Sequence, residues 1–389
     1  MIRTTRLIVA AAFVGLVVAT LLASAPARAD VSVHGFMLNR AYADPSPVRF
    51  EAERVGLSVD SSLNEDICAH IEFYYHPWLP DNRVDSVTST QTDYDDNPIT
   101  YTTSTTYNRL WLEGAYADFT DADGGRLRVG KSRNFCFGVT PTYGNRKTTE
   151  YGLISETVTM ERIVGVQYNR SDDGWDWGAA LYNGLALSAR LSGGDANYFR
   201  FPDEAVAIPH FADKGENANL EGSFRIGRTF EPGVNAGFSY RQGKITRDEL
   251  SGTIQGTFGL SDASSRTKRR YGLDVTYKAP SGGMAQIEWY KGRTSDLDHK
   301  AWCVLVGHEP PDNPMDPRFY VRYGKLDLDV DPMGHPLTWD QKQLMVSVVK
   351  PLGKAVWVQF EYIKNSEDPP SGVSTVENDM LFAELFNAW

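Results

Sequence analysis

The 389-residue chain carries a formal net charge of −11, and 12% of its residues are aromatic. The acidic balance speaks against a nucleic-acid partner. Cys68, Cys136 and Cys303 are odd in number and lack any CxxC or CxxCH spacing, which argues against a disulfide framework, a thiol redox motif and covalent haem.

Arg3 and Arg6 open the chain as a basic segment, Leu7 to Ala23 is apolar, and Ala27-Arg28-Ala29 is a small-x-small cleavage site. Residues 1–29 therefore read as an export signal, with the mature chain starting at Asp30. A membrane anchor is the alternative reading of the apolar run. Beyond it, no apolar stretch approaches the roughly 20 residues that a spanning helix needs. Residence in a membrane would require a closed barrel. Losing Arg3, Arg6 and Arg28 leaves the mature chain still more acidic. Acids gather in loop-like stretches such as Asp93-Tyr-Asp-Asp96, where solvated surface is the default and weak calcium binding the alternative.

From Asp30 onward the chain breaks into segments of period-two hydrophobicity. The segments 31–42, 47–60, 66–76, 107–119, 126–134, 161–170, 175–183, 218–230, 233–242, 269–279, 284–293, 300–308, 317–328, 341–350, 354–364 and 379–389 read as sixteen strands. Ile67, Ala69, Ile71, Phe73 and Tyr75 share one face, opposite Cys68, His70, Glu72 and Tyr74. Tyr271, Leu273, Val275 and Tyr277 alternate with Arg270, Gly272, Asp274 and Thr276. Aromatics near strand ends suit an interfacial girdle. Short turns such as Asp121-Ala-Asp-Gly-Gly125 and Phe230-Glu-Pro-Gly233 are rich in chain-reversing residues. They alternate with long segments at 77–106, 135–160, 184–217, 243–267 and 364–377. The expectation is an all-β, transmembrane antiparallel β-barrel of about sixteen strands, with long extracellular loops and short periplasmic turns. Fourteen strands would follow from losing a hairpin, and eighteen from finding one in a long loop. Residues 30–389 form one domain in this reading. The last strand ends on Trp389, behind Leu381, Ala383 and Leu385, as a signal to the barrel assembly machinery; Asn387 interrupts that apolar alternation.

Val48-Arg-Phe-Glu-Ala-Glu-Arg-Val-Gly-Leu-Ser-Val59 with Ala69-His-Ile-Glu-Phe-Tyr74, then Leu112-Glu-Gly-Ala-Tyr-Ala-Asp-Phe119 with Leu127-Arg-Val-Gly-Lys-Ser-Arg-Asn-Phe-Cys-Phe-Gly138, follow one another in order. Together they resemble the phosphate-selective porins (the porin O and P family). Arg162-Ile-Val-Gly-Val-Gln-Tyr168 with Trp177-Gly-Ala-Ala-Leu-Tyr-Asn-Gly184, Arg322-Tyr-Gly-Lys-Leu-Asp327 and Phe360-Glu-Tyr362 continue the likeness. The resemblance implies a sixteen-stranded barrel in the outer membrane of a Gram-negative cell. Such barrels commonly sit among outer-membrane lipids as homotrimers and passively pass small anions or other small hydrophilic solutes.

Turning the apolar faces to lipid points Arg54, Arg126, Arg128, Arg225, Arg241, Arg270, Arg318 and Arg322 inward, with Glu72, Glu221, Asp274, Glu288 and Glu361. A ladder of guanidiniums would favour anions. Alternatively, these charges brace a generically polar lumen by pairing with one another. The segment 135–160 is the candidate constriction loop, with Arg146 and Lys147 at its tip. If the tip enters the bore, Arg126, Arg128, Arg146 and Lys147 stand nearest the filter; if not, Arg146 and Lys147 are solvated loop charges. Parity points Lys131 and Arg133 towards lipid. The histidines are isolated, and His70 with Glu72 is the only suggestive pair. No catalytic residue, metal-ligand set or cofactor motif is expected. Besides the channel, two readings stay open: a sheath around an exported partner such as a multihaem cytochrome, and an outer-membrane hydrolase.

Overall fold

The computed structural model describes residues 30–43, 49–75, 77, 84–92, 98–106, 110–139, 147–148, 152–159, 162–190, 210–257, 260–329, 340–368 and 379–389. The expected leader 1–29, the acidic stretch Asp93–Asp96 and Arg146 lie outside the described residues.

The first half of the described chain forms β1 (Asp30–Ala43), β2 (Arg49–Ser62), β3 (Ile67–Tyr75), β4 (Val84–Thr92), β5 (Pro98–Thr106), β6 (Leu110–Thr120), β7 (Arg126–Arg133), β8 (Arg162–Asp172) and β9 (Trp175–Arg190). The second half forms β10 (His210–Phe230), β11 (Val234–Lys244), β12 (Thr267–Lys278), β13 (Gly283–Thr294), β14 (Leu297–His308), β15 (Arg318–Asp329), β16 (Asp340–Pro351), β17 (Val356–Asp368) and β18 (Met380–Ala388). All but β4 and β5 close into one antiparallel barrel, β1 meeting β18 on one side and β2 on the other. The barrel thus has sixteen strands, each overlapping one predicted segment. The hairpin found in a long loop, β4–β5, pairs only with itself and adds nothing to the wall.

Side-chain chemistry explains the closure. Leu181, Leu273, Ile287 and Phe360 are each more than half exposed on the outer face, while Glu221 and Arg241 are 1% exposed on the inner one. This inversion of a soluble protein suits a wall whose outside faces hydrocarbon. Turns at one end are short and self-bonded: the Asp121 carboxylate accepts the backbone N–H groups of Asp123 at 3.0 Å and Gly125 at 2.7 Å. Both Asp30 and Trp389 sit at this turn end, opposite the loop end. Two connections depart from the expected rhythm. At the loop end β13 passes to β14 through only Ser295 and Asp296, Ser295 adopting φ 56°. At the turn end the connection 309–317 is long.

The seam is aromatic. Trp389 extends the β1–β18 ladder by exchanging backbone hydrogen bonds with Gly35 at 3.0 and 3.1 Å. Its indole lies so close that a Cβ at Gly35 would stand 2.4 Å from the ring. On the inner face Phe386 is stacked between Trp357, 3.9 Å away, and Phe36, 5.3 Å away. Nearby, Arg40 Nε donates to Glu384 at 2.7 Å, both side chains buried.

Candidate functional site

After β7 the chain turns into the barrel. Residues 134–139 follow the inner wall: Asn134 donates to Ser223 Oγ of β10 at 3.2 Å, and the Gly138 N–H donates to Ser239 Oγ of β11 at 3.0 Å. Gly138, at φ 64°, is required here, because a Cβ would stand 2.5 Å from the Tyr290 hydroxyl of β13. Further along, the Leu153 N–H donates to Gln343 of β16 at 2.7 Å, and Arg270 of β12 donates to the Val158 carbonyl at 3.2 Å. Lys147 bonds to Glu309, on the turn-end connection after β14. The described residues 134–139, 147–148 and 152–159 therefore lie inside the barrel, in contact with walls from β7 round to β16.

A second connection packs against it. Residues 245–266 carry a helical turn over Glu249–Thr257. Thr246 and Glu249 form a reciprocal cap, the hydroxyl accepting the Glu249 N–H at 3.1 Å and the carboxylate accepting the Thr246 N–H at 2.5 Å. Ile245, Ile254 and Ala263 of this connection join Phe137, Ile154 and Val158 of the first segment in one buried cluster against Tyr290, Leu297, Ala301, Cys303 and Leu326 of the wall. The Thr-x-x-Glu spacing was the sequence signal for this helix, hidden in what reads as a polar loop. Part of the bore is thus a dry core rather than water.

The predicted lumen arginines do face inward, yet most meet carboxylates. Arg128 holds Asp118 through two hydrogen bonds of 2.7 Å and lies 3.7 Å over the Tyr116 ring. Arg225 bridges Asp176 and Asp274, the latter at 2.6 Å. Arg241 and Lys268 share Glu221 at 2.7 and 2.9 Å, all three sealed from solvent. Arg270 donates to His299 Nε2 at 2.9 Å and is fully buried. Arg322 packs against Gly152, and Arg318 lies beside Glu309 and Tyr320. Arg54 sits 5.4 Å over Tyr74, while Arg126, with its side chain 45% exposed, is 3.8 Å from Asp118. Lys147, predicted at a filter tip, has its charge met by Glu309.

Arg133 corrects the parity argument. It does not face lipid but is buried 3.5 Å from Glu113. Two irregularities cause this: Glu113 is an extra residue between the partners of Phe73 and Glu72, and Gly130 at φ 130° breaks the alternation of β7. Arg162 shares the same carboxylate.

Two cavities flank the described parts of the inward segment. A cavity of about 440 Å³ opens beside β1–β3, β6 and β7, lined among others by His70, Glu72, Glu113, Tyr116, Arg128 and Arg133. His70 Nδ1 is 2.7 Å from Asp60, and its ring stacks on Tyr116 at 4.7 Å. A second cavity of about 320 Å³ lies by Arg225, Asn235 and Asp274, and Phe135 lines both. Among the described residues no group of three or more His, Cys, Asp or Glu is placed to hold a metal ion. The three cysteines are free thiols; burial pushes that of Cys136 up to about 12.

Glu309 links the tether to pH. Burial favours its protonation, but hydrogen bonds from Lys147 and Tyr320 outweigh that and hold the carboxyl below its ordinary value of 4.5. A lowered folded value means the tether is intact above the ordinary carboxylate range and is lost only as pH falls through the lowered value. Conductance across a bilayer should therefore stay constant from neutral pH down to the ordinary carboxylate value of 4.5 and change only below it. Glu309→Gln should show the low-pH behaviour at pH 7.

No protein-family model matches the chain, and no curated protein sequence does. Solved structures do match. The outer membrane channel DcaP of Acinetobacter baumannii is 14% identical over 94% of this chain and 99% of that one, with a TM-score of 0.58. OmpT, an outer membrane protein of Vibrio cholerae, in its trimer form, is 12% identical over 93% and 99%, with a TM-score of 0.55. The anion-selective porin from Comamonas acidovorans is 11% identical over 93% and 100%, with a TM-score of 0.50. The fold is the porin fold. At these identities the likeness is one of architecture, and the porin fold here carries its own lining.

Proposed function

We propose that the chain is an outer-membrane channel through which small hydrophilic solutes diffuse passively, narrowed by the inward segment 134–159. The observation that carries this reading is a closed barrel with an apolar outside and a polar inside, whose cavities run alongside its own inward segment. The solved structures sharing the fold include one described as a channel and one as an anion-selective porin. A homotrimer is part of the proposal, supported by the trimer form of the Vibrio cholerae protein. So are the surrounding outer-membrane lipid and delivery by the barrel assembly machinery, for which the Trp389 strand is suited. A leader over 1–29 would bring the chain to that membrane.

The ion preference we assign is anionic and weak. On and beside the larger cavity, Arg54, Arg126, Arg128, Arg133 and Arg162 stand against Asp60, Glu72, Glu113 and Asp118. Pairs of guanidiniums share Asp118 and Glu113, which leaves a small positive excess on that wall. In this assignment Arg126 is the filter residue, Arg128 its support, and Lys147 an anchor rather than a filter. Phosphate is the first anion to try as a blocker, since the segments quoted above resemble phosphate-selective porins. A sheath role is disfavoured because loops of the chain itself take up bore space that a housed partner would need.

The test is a planar bilayer under a salt gradient. Stepwise conductance with a small reversal potential favouring chloride is expected, and Arg126→Gln should shift it towards cations. A folded barrel that never conducts would sink the channel reading; an unmoved reversal potential in the variant would remove Arg126 from the filter.

A further inference from the structure

The outer face of β12–β17 carries cations at one level near the loop end: Arg269, Lys291, Lys300, Lys325, Lys342 and Lys364. Tyr271, Trp289, Trp302, Tyr323 and Tyr362 lie one alternation nearer the membrane centre on the same strands. The register sets like charges opposite one another three times, as Arg269 with Arg293, Lys291 with Lys300, and Lys325 with Lys342. Directly opposed like charges destabilise a sheet. Local acids relieve the flanks: Arg293 bonds to Asp296 at 2.9 Å, and Lys325 bonds to Asp327 and stands 3.7 Å from Asp340. The central pair is different. Lys291 and Lys300 are exposed, and neither forms an ion pair among the described residues. The cross-strand neighbour of Lys300 on β15 is Asp327, already held by Lys325.

We infer that Lys291 and Lys300 bind the phosphate of an anionic lipid headgroup in the outer leaflet. This rests on the outer-membrane reading above. The pair sits just beyond the aromatic row, where headgroups meet a barrel wall. A phosphate between the two ammonium groups turns their repulsion into charge-assisted hydrogen bonds. What favours a lipid over a free anion is the surface below: Leu273, Ile287 and Val306 are about half exposed, and acyl chains cover them. The two-residue Ser295–Asp296 turn leaves no long loop between β13 and β14 over the pair.

The test uses the full chain in phosphatidylcholine nanodiscs carrying a minor fraction of diphosphorylated lipid A, with the dephosphorylated lipid as comparison. Lipid retained after a detergent wash is measured by native mass spectrometry. The native protein should retain the phosphorylated form at least about tenfold over the other, and Lys291→Gln with Lys300→Gln should abolish that preference. Removing equal charge at the turn end, by Lys278→Gln with Lys354→Gln, should leave it intact. Heat-dependent gel migration checks that each variant is folded. Equal retention by the Lys291/Lys300 variant, no preference in the native protein, or displacement of the lipid by free pyrophosphate would each overturn the inference. Conductance is recorded separately on the same samples: a non-conducting native barrel that keeps the lipid preference would fail as a channel while retaining this site.

Discussion

Shortening Ile154 and Val158 to alanine is expected to raise the single-channel conductance while the barrel itself stays folded. Both side chains are buried in the cluster that joins the inward segment to the 245–266 connection and to β13–β15. Each truncation removes about 1–5 kcal/mol of packing, the lower figure for Val and the higher for Ile. The barrel ladder involves neither residue, so the loss falls on the segment alone. Its remaining ties include the polar contacts Lys147–Glu309, Leu153–Gln343, Arg270–Val158, Asn134–Ser223 and Gly138–Ser239, with Phe137 still in the cluster. The partly exposed Lys147–Glu309 tie exchanges with water at small net cost, so the buried cluster carries most of the hold. The segment should then leave its place across the bore, and conductance should become larger and noisier. Single-channel recording measures this, with Val346→Ala on the outer face as the control for a truncation that should change nothing. Conductance equal to the native value, in a variant shown to be folded, would mean that 134–159 does not limit flow.

Replacing Phe386 by alanine should weaken the whole barrel, by about 3–5 kcal/mol. Phe386 is 4% exposed and lies between Trp357 of β17 and Phe36 of β1, so one ring packs the last strand to both of its neighbours. Closure of the β1–β18 seam joins the chain's two ends, the longest-range pairing in the fold. Urea titration of the refolded protein, followed by tryptophan emission, should give a lower midpoint with an unchanged slope. Leu385→Ala on the outer face exposes a similar apolar loss to lipid and should cost less. Equal effects from the two substitutions would refute the idea that the inner aromatic stack holds the seam.

The two experiments probe features of different legibility. Strand positions were readable because one face of each strand must be apolar and the next polar, as with Ile71 and Phe73 against His70 and Glu72. The inward direction of Arg128, Arg225 and Arg241 followed from the same alternation. Arg133 did not, since a bulge and a glycine at positive φ reset the parity of β6 and β7 locally. The helix at 249–257 is not legible in the pattern because its apolar residues are few and scattered between polar ones. β9 and β10 run beyond the predicted 175–183 and 218–230, since pairing up to Arg190 and His210 needs no apolar face.

The amino-acid order by itself determined a barrel of about sixteen strands and most of its outer face, because a period of two and a turn are local properties. Tertiary structure alone decided which charges meet. Lys147 and Glu309 are 162 positions apart, and Arg225 finds Asp176 and Asp274 on other strands. Such partners exist only once the sheet has closed and its inner walls face one another. Whether an inward arginine is a filter or a brace is therefore a property of the closed bore.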